Sequence, residues 1–151
     1  MTTRDVSAVD PDGRYPSEGP RLVDINAARV LAVLPGASVS RTRDAVQLDA
    51  EFEDGGVSVL VTPEAVELRL PTVEWTTGYA GPVASSRLWK RVLWTSIAAS
   101  DEQLAALIEQ ALARRRREYA TCRFCRGRVP REHRIGRACH GCASGHGLAV
   151  F

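Results

Sequence analysis

The sequence predicts an α+β fold: a helix, a small antiparallel sheet in meander order and a second, long helix, followed by a small C-terminal four-cysteine module. Residues 45 to 53 alternate apolar and polar side chains, as a half-buried strand requires. Leu104, Leu107, Ile108, Ala111 and Leu112 recur at spacings of three and four, the signature of a helix with one buried face. All four cysteines fall between positions 122 and 142, in two C-x2-C pairs.

The length of 151 residues, with 44% apolar residues, suits one packed domain and a small appendage. A charged fraction of 25% with 6% aromatics argues against a disordered or collagen-like chain, and no apolar run is long enough to cross a bilayer. The first twenty residues, MTTRDVSAVDPDGRYPSEGP, lack the apolar stretch of a secretory signal. A cytoplasmic location is therefore expected, where thiols stay reduced.

Residues 1–21 hold three prolines and the breaker pairs Asp12-Gly13 and Gly19-Pro20, which predicts a flexible leader. The α+β body is expected over residues 22–120. Asp24 is placed to cap a helix over Ile25–Leu34, with Ala27, Leu31 and Leu34 inward and Pro35-Gly36 ending it. Val46, Leu48, Ala50 and Phe52 then face one way, with Gln47, Asp49, Glu51 and Glu53 opposite. Asp54-Gly55-Gly56 supplies a turn into a second strand, Val57–Thr62. Pro63-Glu64 turns the chain again, and Val66, Leu68 and Leu70 mark a third strand that Pro71 should stop. From Thr72 to Ile97 both a helical stripe and a strand fit, and the β-branched and aromatic content favours the strand. Trp75, Trp89 and Trp94 sit beside apolar neighbours and are expected in the core. Ser100 and Gln103 have capping-box spacing at the start of the long helix.

The zinc module is expected over residues 121–151, closed by a last strand at Leu148–Phe151. Cys122 and Cys125 form one pair, Cys139 and Cys142 the other, with 13 residues between. A C-x2-C turn brings both sulfurs to one ion, and Gly127 and Gly145 lie where the chain must leave each turn. Four soft, anionic sulfurs with no open position suit a structural Zn2+. So short a module cannot bury enough apolar surface to fold unaided, and ligation worth roughly 10–16 kcal/mol supplies the difference. At these residues the chain resembles the zinc-ribbon and treble-clef-like zinc-finger superfamily, in which two knuckles grip one zinc. The resemblance implies the ligand role for Cys122, Cys125, Cys139 and Cys142, and no particular function. His133, His140 and His146 are left as surface residues, because four thiolates already saturate the ion.

Charge divides the chain unevenly. Residues 1–113 carry 10 basic against 16 acidic side chains, net −6, and residues 114–151 carry 10 arginines against Glu118 and Glu132, net +8. A divalent ion on four thiolates still leaves roughly +6 on the basic end. Arg114, Arg115, Arg116 and Arg117 ring a helix end and are expected to be solvated. With Arg123, Arg126, Arg128, Arg131, Arg134 and Arg137 they form a candidate nucleic-acid surface, with Tyr119 and Phe124 as stacking groups. The reading is a non-catalytic zinc protein whose arginine-rich module contacts nucleic acid. The rival is a protein–protein adaptor in which zinc only braces a docking surface and the acidic body carries recognition.

Glu132-His133-Arg134-Ile135 also resembles, in part, the histidine segment of zinc-braced HNH-type nucleases, where the histidine acts as general base. Only five residues, Arg134–Ala138, separate it from the second cysteine pair, where that fold needs a hairpin and a helix. No P-loop, GxGxxG or nucleophile-elbow motif is present, and Asp49, Glu51, Glu53 and Asp54 read as a solvated strand face.

Overall fold

The computed structural model describes residues 21–53, 55–75 and 82–147. The expected leader, apart from Arg21, and the expected closing strand Leu148–Phe151 lie outside the described residues, as does Asp54 of the first turn.

Helix α1 runs over Leu22–Val33, starting three residues earlier than predicted. The cap is Arg21, whose carbonyl accepts from the N–H groups of Asp24 and Ile25, at 2.9 and 3.1 Å. Asp24 stands inside the first turn instead, where its carboxylate meets the positive helix end and pairs with Arg41. The buried stripe is Val23, Ala27, Val30 and Leu34, spaced by four, three and four. Leu31, expected inward, is exposed because it lies a quarter-turn off that stripe.

Five strands follow in one antiparallel meander: β1 Ser38–Arg41, β2 Val46–Phe52, β3 Gly55–Val61, β4 Ala65–Trp75 and β5 Pro82–Leu93. The register sets Val39, Leu48, Val59 and Leu68 side by side, and Val46, Val61 and Val66 in the next row but one. These rows face the helices. Gly56 lies so close to β2 that an added Cβ would come within 2.6 Å of the Ala50 carbonyl oxygen, so only glycine fits there.

Pro71 does not stop β4, which continues to Trp75 with Pro71 opposite Ser86. Strand β3 pairs with β4 only as far as Ser58 opposite Arg69. Beyond that point β4 has a neighbour on one side alone, an edge-like position that tolerates proline. The register between β4 and β5 shifts at Leu68/Arg69, leaving Trp89 without an opposite residue. Trp89 and Trp94 pack half-buried against the core, and the Trp94 indole donates to the Thr62 carbonyl at 2.9 Å.

Helix α2, Glu102–Arg116, buries Leu104, Leu107, Ile108, Ala111 and Leu112 as the periodicity requires. The capping box does not form. Asp101 is the cap residue, and the Gln103 side chain turns back instead, accepting from the Ala98 N–H and donating to the Ser96 carbonyl, each at 3.1 Å. Helices α1 and α2 cover one face of the sheet and enclose the core there. Phe52 shares that face by alternation yet is 52% exposed. It overhangs a cleft between the end of α1, the end of β2 and α2, where α1 has already turned away at Pro35-Gly36.

The chain then folds into small pieces: β6 Tyr119–Thr121, antiparallel to β7 Arg128–Pro130, a 3-10 turn Arg131–His133, the hairpin of β8 Arg134–Ile135 with β9 Ala138–Cys139, and α3 His140–Gly145. The buried residues here are Cys122, Ala138 and Ala143, with Phe124, Val129 and Ile135 partly covered. That is far less apolar surface than the sheet encloses.

Candidate metal centre

The β6–β7 hairpin carries the first cysteine pair in its loop. The Cys122 N–H donates to the Gly127 carbonyl at 2.8 Å, and the Arg126 N–H to the Cys122 carbonyl at 3.0 Å. Arg126 adopts φ 64°, the left-handed conformation that closes the turn. Gly127 and Gly145, which the sequence places where the chain leaves each turn, do not take a positive φ; Arg126, next to Gly127, and Gly147, after α3, do. The second pair is built differently. Cys139 caps α3 and Cys142 lies in its first turn, so this pair comes from a helix start and not from a second β-knuckle. An Arg123 N–H bond to the Arg137 carbonyl, 2.8 Å, ties the two halves together.

All four Sγ atoms lie within 4.8 Å of one another, and Cys125 Sγ stands 4.0 Å from Cys139 Sγ. A tetrahedral ion with metal–sulfur bonds of about 2.3 Å needs its sulfurs about 3.8 Å apart, so the constellation fits a single ion. Backbone N–H groups aim at the sulfurs: Cys139 N at Cys122 Sγ, 3.4 Å, and Cys142 N at Cys139 Sγ, 3.5 Å. The Cys139 N–H, with further donors in the turn, draws the Cys122 thiol down to about 6. Hydrogen bonding with Cys139, then burial and the remaining sulfurs, pushes Cys142 up to about 12. Such a crowd of thiols ionises completely only when a cation neutralises it. The four cysteines can therefore hold a metal ion.

Of the ten arginines singled out in the sequence, eight are exposed: Arg114, Arg116, Arg117, Arg123, Arg126, Arg128, Arg131 and Arg137. Arg115 is not, and its expected solvation is corrected. It is 3% exposed, on the same face of α2 as Ile108, Ala111 and Leu112. Its guanidinium pairs with both carboxylate oxygens of Glu132 and donates to Glu118 at 2.7 Å, so two acids neutralise it. Arg134 is half-buried and donates to the Glu118 carbonyl at 3.0 Å. Glu118 also pairs with Arg87 of β5, a residue that sequence reasoning missed because it lies 27 positions before the cluster.

The two expected stacking rings are occupied. The Arg115 guanidinium lies 5.1 Å from the Tyr119 ring centre. Phe124 stacks on His146 at 3.9 Å and carries Arg123 at 4.8 Å. His133 and His140 meet edge to face, ring centres 6.4 Å apart. Between His133 and the second cysteine pair stands the tight β8–β9 hairpin, with no helix. On the open face of the sheet, Asp49 accepts from the Ser58 hydroxyl at 2.6 Å and from Gln47 at 3.1 Å. Among the described residues, the four cysteines are the one cluster of metal-ligating side chains, and no helix is long and apolar enough to cross a membrane.

Compared with known protein families, curated proteins and solved structures, the chain matches none.

Proposed function

We propose that the protein binds nucleic acid without catalysing a reaction, through a C-terminal module built around a structural zinc ion. Zinc is favoured over other ions by four soft, anionic ligands that leave no position open for water. The layout of one hairpin knuckle plus a helix start is of the treble-clef kind.

One observation carries the nucleic-acid reading. The two acidic side chains of the basic end, Glu118 and Glu132, turn inward onto Arg115 and Arg87. Among the described residues, the eight exposed arginines then show a single ion pair, the Arg116 guanidinium standing 4.0 Å from Glu109 of α2. An uncompensated cationic surface of this size attracts a polyanion.

Fluorescence anisotropy of the zinc-loaded chain against labelled nucleic acid across a salt series tests this. Phosphate contact predicts that log K falls linearly with log salt, by about 0.9 per neutralised duplex phosphate. Replacing Arg114, Arg116 and Arg117 by serine, with buried Arg115 kept, should flatten the slope. No binding at about 50 mM salt sinks the reading.

A second reading, a protein–protein adaptor, is favoured by the cleft of about 340 Å³ under Phe52, which Leu34, Ile108 and Leu112 floor and Glu51 and Glu109 rim. It predicts a partner that survives nuclease treatment and is lost on Phe52→Ser.

A further inference from the structure

The cationic surface does not end with the module. The Arg87–Glu118 pair brings β5 against the segment that follows α2. The Arg87 guanidinium titrates below its ordinary value, first through burial and then through the positive charges of Arg115, Arg114 and Arg131, which outweigh the pull of Glu132. Arg87 therefore stands close enough to Arg114 and Arg131 to feel their charge. Strand β5 contains no acidic residue. Its register sets Arg87 beside Leu70 and Lys90 beside Leu68, on the face of the sheet that carries the helices. Arg91, beside Glu67, emerges on the other face.

Among the described residues, the aromatic rings along this surface already carry cations. Lys90 Nζ lies 5.5 Å from the Trp89 ring centre, Arg115 covers Tyr119, and Arg123 covers Phe124. A ring stacked 3.9 Å away leaves no room for a guanidinium on the same face, so His146 and Arg123 close Phe124 from both sides. Trp94, further off, carries Arg29 at 5.7 Å. Phe52, which is exposed, is flanked by Glu51 and Glu53, which repel phosphate. Single strands are held by a cationic groove together with bases stacking on open rings, whereas a duplex, with its bases paired inside, is bound mainly through its phosphates.

From these contacts we infer that the nucleic acid is a duplex gripped through its phosphates, and that Lys90, beside the ion-paired Arg87, carries the module's arginine surface onto β5. This rests on the nucleic-acid reading above. The salt series is run on the full zinc-loaded chain with a mixed-sequence duplex and each of its separated strands. The duplex should bind about tenfold tighter than either strand, given its denser charge. Lys90→Gln, which keeps the stem over Trp89, should lower the slope by about 0.9, and Arg91→Gln should leave it unchanged.

Strands that bind as tightly as the duplex overturn the duplex inference while leaving nucleic-acid binding intact. Equal slopes for Lys90→Gln and the parent chain, or equal losses for Lys90→Gln and Arg91→Gln, overturn the extension onto β5. Absence of binding to duplex and strands alike overturns the proposed function itself.

Discussion

Arg115, on the last turn of α2, and Glu132, between the two cysteine pairs, form a two-pronged ion pair in which the Arg115 side chain is only 4% exposed. Seventeen residues of sequence separate them, and the pair joins the body of the protein to the cysteine module. Burial is the largest single influence on Glu132 and opposes its ionisation, but the Arg115 hydrogen bonds, a backbone hydrogen bond and the charges of Arg115 and His133 together outweigh it and hold the carboxyl below its ordinary range. Removing one partner of such a pair strands a charge in a poorly hydrated place. Glu132→Gln should therefore cost about 3 kcal/mol, the lower end for buried pairs because Glu118 still shields Arg115. A shifted denaturant midpoint at constant m-value measures it. Arg115→Leu with Glu132→Leu should lose less than the two single changes together; strict additivity would show that the two groups do not interact.

Chelating the metal should unfold the module and leave the body standing. The core of the sheet, from Val23 to Leu112, contains no residue of the module, whereas the module encloses little beyond Cys122, Ala138 and Ala143. Hydrogen exchange should show amides of β6 to β9 and α3 losing protection while β2, β3 and β4 keep theirs. The last turn of α2 should exchange faster too, because Arg115 loses Glu132. Global loss of protection in the sheet would mean that body and module fold as one unit.

What the sequence made legible follows from periodicity and spacing. The stripe from Leu104 to Leu112 and the alternation from Val46 to Ala50 each bury one face, and the cysteine spacing announces its own geometry. Strand β1 was missed because Ser38, Val39, Ser40 and Arg41 are all exposed, so no alternation of burial exists to read. Arg115 was misread for the opposite reason. In a run of four arginines nothing local marks one as buried, and its partner Glu132 arrives only when the second half of the module folds back. The end of β4 was misplaced because the tolerance of Pro71 depends on where β3 stops pairing, a fact of the sheet and not of the strand.

Metal affinity should rise with pH in a defined way. Ligation needs thiolates, and protons compete for them. With its pKa raised to about 12, Cys142 holds its proton throughout the neutral range, so the metal must displace that proton at every pH tested. This residue alone contributes about tenfold in affinity per pH unit. Cys122, lowered to about 6, is ionised at neutral pH and gains a proton only below that value. The plot of log affinity against pH should consequently steepen by one unit of slope on falling below about 6. Competition against a chromophoric chelator, corrected for its own protonation, reads this directly, and a flat profile between about pH 6 and 8 contradicts it.

Arg126 gives the most discriminating prediction, because one substitution there should move stability and binding in opposite directions. Its φ of 64° lies in the left-handed region, which costs a side-chain-bearing residue roughly 1–2 kcal/mol and glycine almost nothing. Arg126→Gly should relieve that strain, less about 0.5–1 kcal/mol for the freer unfolded chain, and so raise the thermal midpoint of the metal-loaded module slightly. The same change removes one exposed cation, and the salt slope for duplex binding should fall by about 0.9. Arg126→Ala separates the two effects, since alanine keeps the strain and loses the charge: binding should weaken as with glycine, without the gain in stability. A thermal midpoint that falls equally for both substitutions would show that the arginine side chain, and not its backbone, matters for the turn.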